Sequence, residues 1–157
     1  MAEIEWPKLR RAHPRPLDFA KRNQRSRKGR YQLLKYLMVG FGGFVGAIAR
    51  FWLGSYIGEK MGTRFPYGTF VINISGSFLI GLIVTLLQEK THWSPNWIYL
   101  IPIGFIGAYT TFSTFEFETL RSVQDGQFMI SFLNVTLSVV VGFAAVWAGV
   151  VAGRAIP

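Results

Sequence analysis

Three stretches of this chain, residues 65–88, 91–115 and 126–153, pass without a single Asp, Glu, Lys or Arg. A helix needs roughly 20 largely apolar residues to cross about 30 Å of hydrocarbon, and all three are long enough. A fourth run, 33–57, carries only Lys35 at its entrance and Arg50 deeper in. Amphipathic helices of a soluble core would show a polar face at 3.6-residue spacing, and these do not. The chain therefore reads as an all-α integral membrane protein with four transmembrane helices, about 33–57, 65–88, 96–120 and 127–153, in one domain, 31–157. The loops between them are short and hold Pro66, Pro95 and the turn pair Asp125-Gly126, so successive spans are expected to be antiparallel neighbours.

The formal charge of +9 resembles a nucleic-acid signature until it is located along the chain. Residues 1–35 hold eleven of the seventeen Lys and Arg and three of the eight acids, leaving the remaining 122 residues at +1. Residues 1–30 are rich in charge and proline and read as a basic arm, disordered or lying on a surface. Anionic lipid is a better partner for such an arm than nucleic acid. The first apolar run has Arg50 inside it and no small-residue cleavage site, so no cleavable leader is expected. With no cysteine there is no disulfide or thiolate site, and His13 and His92 fall in the arm and a loop, too far apart to suggest a metal cluster.

Small residues recur at four-residue spacing: Gly42 and Gly46, Ser77 and Gly81, Ser138 and Gly142, Gly149 and Gly153. In lipid, close approach of backbones through small faces holds helices together. Four short helices bury little alone, which points to an oligomer. Outside the arm, one side of the membrane would carry Lys35, Lys90 and Arg154, and the other Lys60, Arg64 and Arg121. Lys and Arg in short loops set orientation, so three against three leaves the core free to insert either way. The arm, with ten basic residues, pulls toward one orientation.

Polar groups inside a bilayer are costly and carry a functional hypothesis by default. Asn73 shares a helical face with Ser77 and Gly81; it can serve a function or simply bond a neighbouring helix. The run GFIGAYTTFSTF (104–115) packs three threonines and a serine into five residues after two glycines. Hydroxyl and β-branched side chains compete with the helical backbone, so the third span is expected to break there, mid-membrane. Broken backbone at that depth survives only buried in protein or lining a polar cavity. Phe112 and Phe115, three apart, are either ordinary packing aromatics or rings whose positive edges meet an anion. Asn134, Ser138 and Gly142 make a polar stripe on the fourth span. Arg50 is expected opposite Glu59, Glu116 or Glu118, or snorkelling to the interface. Glu118 falls one turn beyond Phe115, where a pore mouth would be.

With these residues lined up, the chain resembles the Fluc (CrcB) fluoride channel family over about residues 36–153. The resemblance rests on GGFVGAIAR (42–50), GTFVINISGSF (68–78), GFIGAYTTFSTF (104–115) and the Asn134–Ser138–Gly142 face. It implies an antiparallel, dual-topology homodimer with two fluoride pores at its interface, exporting fluoride passively across a cell membrane, the bacterial inner membrane above all. Phe112 and Phe115 then stand where the ring edges meet the ion, and Asn73 where a pore-lining amide donates. Thr114, Ser138 and Glu118 match a polar track. Gly107 and Thr110 match the backbone carbonyls that hold a structural sodium ion, Na+, between subunits. Two departures stand out: Asn134 where many relatives carry tyrosine, and an arm longer than the family pattern, which opens the alternative of an oppositely oriented partner from a second gene.

Other classes fit less well. A small multidrug-type transporter needs a membrane-embedded carboxylate, and no span has one at its middle. An enzyme would need a base–nucleophile pair, a metal cluster or a phosphate loop, and the sequence offers none. A membrane scaffold with a basic arm stands only if the polar motifs are packing.

Overall fold

The structure is a computed structural model that describes residues 16–62, 64–89 and 94–156. His13 and the start of the basic arm lie outside the described residues, as do Lys90 and His92 of the second loop. The chain divides into two units, residues 1–34 and 35–157.

Helix α1 spans Pro16–Met61, so it begins well before the apolar run and takes in residues 16–30 of the arm. Pro16 stands at its first position, where a missing N–H costs nothing. The Lys, Arg, Gln and Leu residues that follow are good helix formers. Helix α2 (Tyr67–Glu89) and helix α5 (Phe128–Ala155) fall within two residues of the expected spans. Together with α1 they are the three helices, among the described residues, that are long and apolar enough to cross a membrane.

The segment between α2 and α5 is built from shorter pieces. A π-helical stretch, Tyr99–Ile106, runs into one turn of α-helix, α3 (Gly107–Tyr109). Pro102 lies inside that stretch; it has no N–H to donate and its ring crowds the preceding turn, and the wider π register accommodates it. Thr110 (φ −78°, ψ 155°) and Thr111 (φ −148°, ψ 115°) are extended. Helix α4 (Phe112–Gln124) follows, with Thr111 as its N-cap accepting from Thr114 N at 3.3 Å. Gly126, at φ 73°, closes the turn into α5, a conformation in which a side chain would be strained.

Helices α2 and α5 pack through glycines. A Cβ on Gly81 would collide with the Val146 carbonyl, and one on Gly149 with the Phe78 carbonyl. On α1, Gly42 and Gly46 lie in the same way against the backbone of Leu100 and Phe105. Close approach through small faces yields dispersion contacts that lipid does not match. Apart from its glycines and Pro102, the interior is small and half polar: Ile72, Ile106 and Tyr109 are buried beside Thr69, Thr85, Ser131 and Asn134. The large apolar side chains face outward, Phe143 at 78% exposure and Phe51 at 77%. A soluble domain sorts its residues the other way.

Candidate functional site

The two extended threonines leave backbone groups to be satisfied, and α2 satisfies them. In a continuing helix the Thr111 N–H would bond to the Gly107 carbonyl. Instead it donates to Asn73 Oδ1 at 2.9 Å, while Asn73 Nδ2 donates to the Thr111 carbonyl at 3.0 Å. One amide therefore closes on both polar groups of one residue, and the Gly107 carbonyl is released from helical pairing. Thr110 folds back, its N–H and its hydroxyl each donating to the Ile106 carbonyl at 3.0 Å.

Around this point lies a cavity of about 380 Å³. Asn73 and Ser77 line it from α2, and Ser138 from α5. Gly107, Thr110, Thr111, Phe112 and Phe115 complete it from the interrupted segment. The Phe112 and Phe115 rings are 5.8 Å apart between centroids and tilted by 38°. Phe112 is 70% exposed, so the cavity is open on that side of the chain. Six of the ten residues singled out in the sequence meet here: Asn73, Gly107, Thr110, Phe112, Phe115 and Ser138.

The other four fall elsewhere. Thr114 accepts from the Thr111 hydroxyl at 2.9 Å as part of the α4 cap. Asn134, 2% exposed, donates to Thr119 Oγ1 at 2.8 Å and stands 3.5 Å from the Ser138 hydroxyl. It joins α5 to α4 and carries the stripe down to the cavity. Glu118 lines a second cavity, of about 730 Å³, with Arg64, Thr69, Arg121 and Asp125. One Glu118 oxygen, Oε2, is buried without a partner. Arg50 makes no ion pair with Glu59, Glu116 or Glu118 among the described residues, and its Nε is buried and unpaired.

Two participants escaped the sequence reading. The Tyr109 hydroxyl pairs with Ser75 Oγ at 2.9 Å, and its ring stacks on Phe105 at 5.6 Å. Together these pin the turn ahead of the extended threonines to α2. Thr119 receives Asn134 and, through its carbonyl, Ser131 at 3.2 Å. Tyr109 stands in an apolar run and Thr119 among the charges near the end of the third span, and neither carries a periodic signal that would separate it from packing.

Apolar side chains outside, hydroxyls and amides inside, and an interrupted segment walling an open cavity that sets a few polar groups among apolar neighbours such as Ile80, Ile106 and Val139 define a multi-pass membrane protein. The profile of the family described as "CrcB-like protein, Camphor Resistance (CrcB)" matches residues 37–150. A protein of Acidobacterium capsulatum named fluoride-specific ion channel FluC is 54% identical over 123 residues, covering 78% of this chain and 98% of that one. Proteins of the same name from Solibacter usitatus (48% identical, 77% of this chain and 99% of that one) and Hydrogenovibrio crunogenus (43%, 79% and 94%) are also similar. The chain belongs to the CrcB-like family.

Proposed function

We propose that this protein is a fluoride-selective channel that lets fluoride leave the cell passively, and that the conducting unit is an antiparallel homodimer in the bacterial inner membrane. The observation that carries the reading is the cavity that gathers Asn73, Thr110, Phe112, Phe115 and Ser138 at the interrupted segment. The name shared by the relatives supports the choice of ion.

Fluoride is small, strongly hydrated and a hard hydrogen-bond acceptor, so a path through hydrocarbon must replace its water with donors. Ser138 offers a hydroxyl whose bond to Asn134 Oδ1 is long, at 3.5 Å. Asn73, having spent one amide hydrogen on Thr111, keeps a second for the ion. The Phe112 and Phe115 ring edges carry partial positive charge and contact the ion without binding it hard enough to stop it. Beyond them Thr114 and Glu118 continue the track toward the second cavity. Asn134 sets the Ser138 hydroxyl, and Arg50 supplies positive potential within the span.

The dimer rests on two supports. The cavity is open beside Phe112, and the Lys and Arg of the short loops are balanced between the two sides of the membrane. The third span, on this reading, is interrupted at mid-membrane, where a polar cavity is the only setting that tolerates it. The freed Gly107 carbonyl and its neighbour at Thr110 suit a hard cation such as Na+, and two carbonyls from one chain are half a coordination shell. A second chain about a two-fold axis would complete it, and the bound ion would supply fixed positive charge between the two pores.

The test is fluoride efflux from liposomes holding the purified chain, with chloride as the control. Rapid fluoride loss without chloride loss is expected. Phe112→Ile and Phe115→Ile should each abolish the flux while the protein stays dimeric; full transport by both would overturn the ring-edge mechanism.

A further inference from the structure

Within the first unit, α1 carries Arg25, Arg27, Lys28 and Arg30 in six residues, followed by Tyr31, Leu33 and Leu34. All seven are exposed, and none of the four cations makes an ion pair among the described residues. At about 100° per residue these four side chains point to every side of the helix and span a rise of about 7.5 Å. A helix that lies flat on a membrane needs one apolar face and one basic face. This segment has no apolar face until Tyr31. It is a ring of charge around a helix, and the next residues are those with which α1 begins its apolar run.

The segment also lies outside the span that the family profile matches. Two of the relatives are matched over 98% and 99% of their own lengths while covering 78% and 77% of this chain, and the family profile begins at residue 37.

We propose that Arg25, Arg27, Lys28 and Arg30 form a cationic collar that binds the anionic phospholipid headgroups of the leaflet that α1 enters. Clusters of four to eight basic residues next to a membrane span concentrate acidic lipids by charge, over a distance set by the Debye length. Four cations within about 12 Å of Leu33 along the helix lie in that range. Tyr31, with an apolar ring and a polar tip, is the residue type that stands at headgroup level.

The chain has no cysteine, so Gln24→Cys gives a single labelling site beside the collar. The full chain, labelled there with a donor dye, is placed in vesicles holding acceptor-tagged phosphatidylglycerol or acceptor-tagged phosphatidylcholine at equal mole fraction. Both leaflets are alike, so the orientation of insertion does not matter. Energy transfer to the acidic lipid should exceed that to the neutral one by about twofold or more at low salt. The excess should vanish near 1 M salt, where the Debye length falls to about 3 Å. Changing all four residues to Gln should cut the excess by about half or more, although the arm keeps six other basic residues, and changing the three arginines to Lys should keep the preference. Monodisperse elution and unchanged helicity check the fold of each variant. Equal transfer to both lipids by the unaltered collar overturns the proposal, and so does equal transfer accompanied by RNA binding, which would assign the collar to a nucleic acid.

Discussion

Asn73 holds Thr111 and, on the proposed reading, also meets the ion, and the two roles are separable by substitution. Asn73→Ala leaves the Thr111 N–H and C=O without the partners they have at 2.9 and 3.0 Å. Each unpaired group of this kind costs about 1–3 kcal/mol, nearer the low end where partly exposed. A fall in the melting temperature of the detergent-solubilised protein is expected together with lost fluoride flux. Asn73→Asp retains an acceptor for the Thr111 N–H but sets a carboxylate against the Thr111 carbonyl and the conducting path. It should lose flux as completely with a smaller loss of stability if the side chain ionises little. Tyr109→Phe removes the bond to Ser75 and keeps the stack on Phe105; a loss of about 1 kcal/mol with flux preserved is the expected result. Asn73, Phe112, Phe115 and Ser138 were legible in the sequence because polar or clustered aromatic residues stand out in an apolar run. The partner of Asn73 was not legible, since 38 residues separate it from Thr111.

At the scale of elements, the pairing of α2 with α5 depends on where side chains are absent. Gly149→Leu would drive a side chain into the Phe78 carbonyl. Overpacking of this kind costs about 1–3 kcal/mol and sometimes more. A lower melting temperature and a lower yield of monodisperse protein should follow. Gly29→Ala is the contrasting case: a Cβ there meets nothing within 4 Å, and an alanine favours the helix by about 0.5–1 kcal/mol. The glycine spacing made helix packing legible, but spacing does not say which helix meets which. The start of α1 was not legible either, because hydropathy marks where a helix becomes apolar and not where it begins. Pro102 lies inside the expected third span, and a π-helical stretch carries the chain through it.

For the whole molecule, the proposed dimer and its proposed sodium ion have separate tests. If Na+ bridges two subunits through Gly107 and Thr110, replacing it with N-methylglucamine should lower the melting temperature and shift the population toward monomer. A sodium-independent melt would argue that these carbonyls bind water. A cysteine at Asp125, in the exposed turn before α5, tests orientation: an impermeant thiol reagent should label about half the chains from each side of intact membranes if insertion is dual. Labelling from one side only would mean that the basic arm governs insertion and that an oppositely oriented partner completes the channel.

Sequence by itself determined the class of protein. Long uncharged runs leave hydrocarbon as their only stable surroundings, and within them Asn73, the threonine run and the paired phenylalanines are conspicuous because polar groups cost so much there. It also located the basic segment, since charge is counted along the chain. Tertiary structure alone decided which of these residues act together. It turned Thr111 to Asn73, joined Asn134 to Thr119, sent Glu118 to a different cavity and left Arg50 without a carboxylate among the described residues. The physical reason is that burial is a property of a residue and its solvent, readable from type and run length. A hydrogen bond is a property of two residues, and its energy depends on angstrom distances that only the packed helices set.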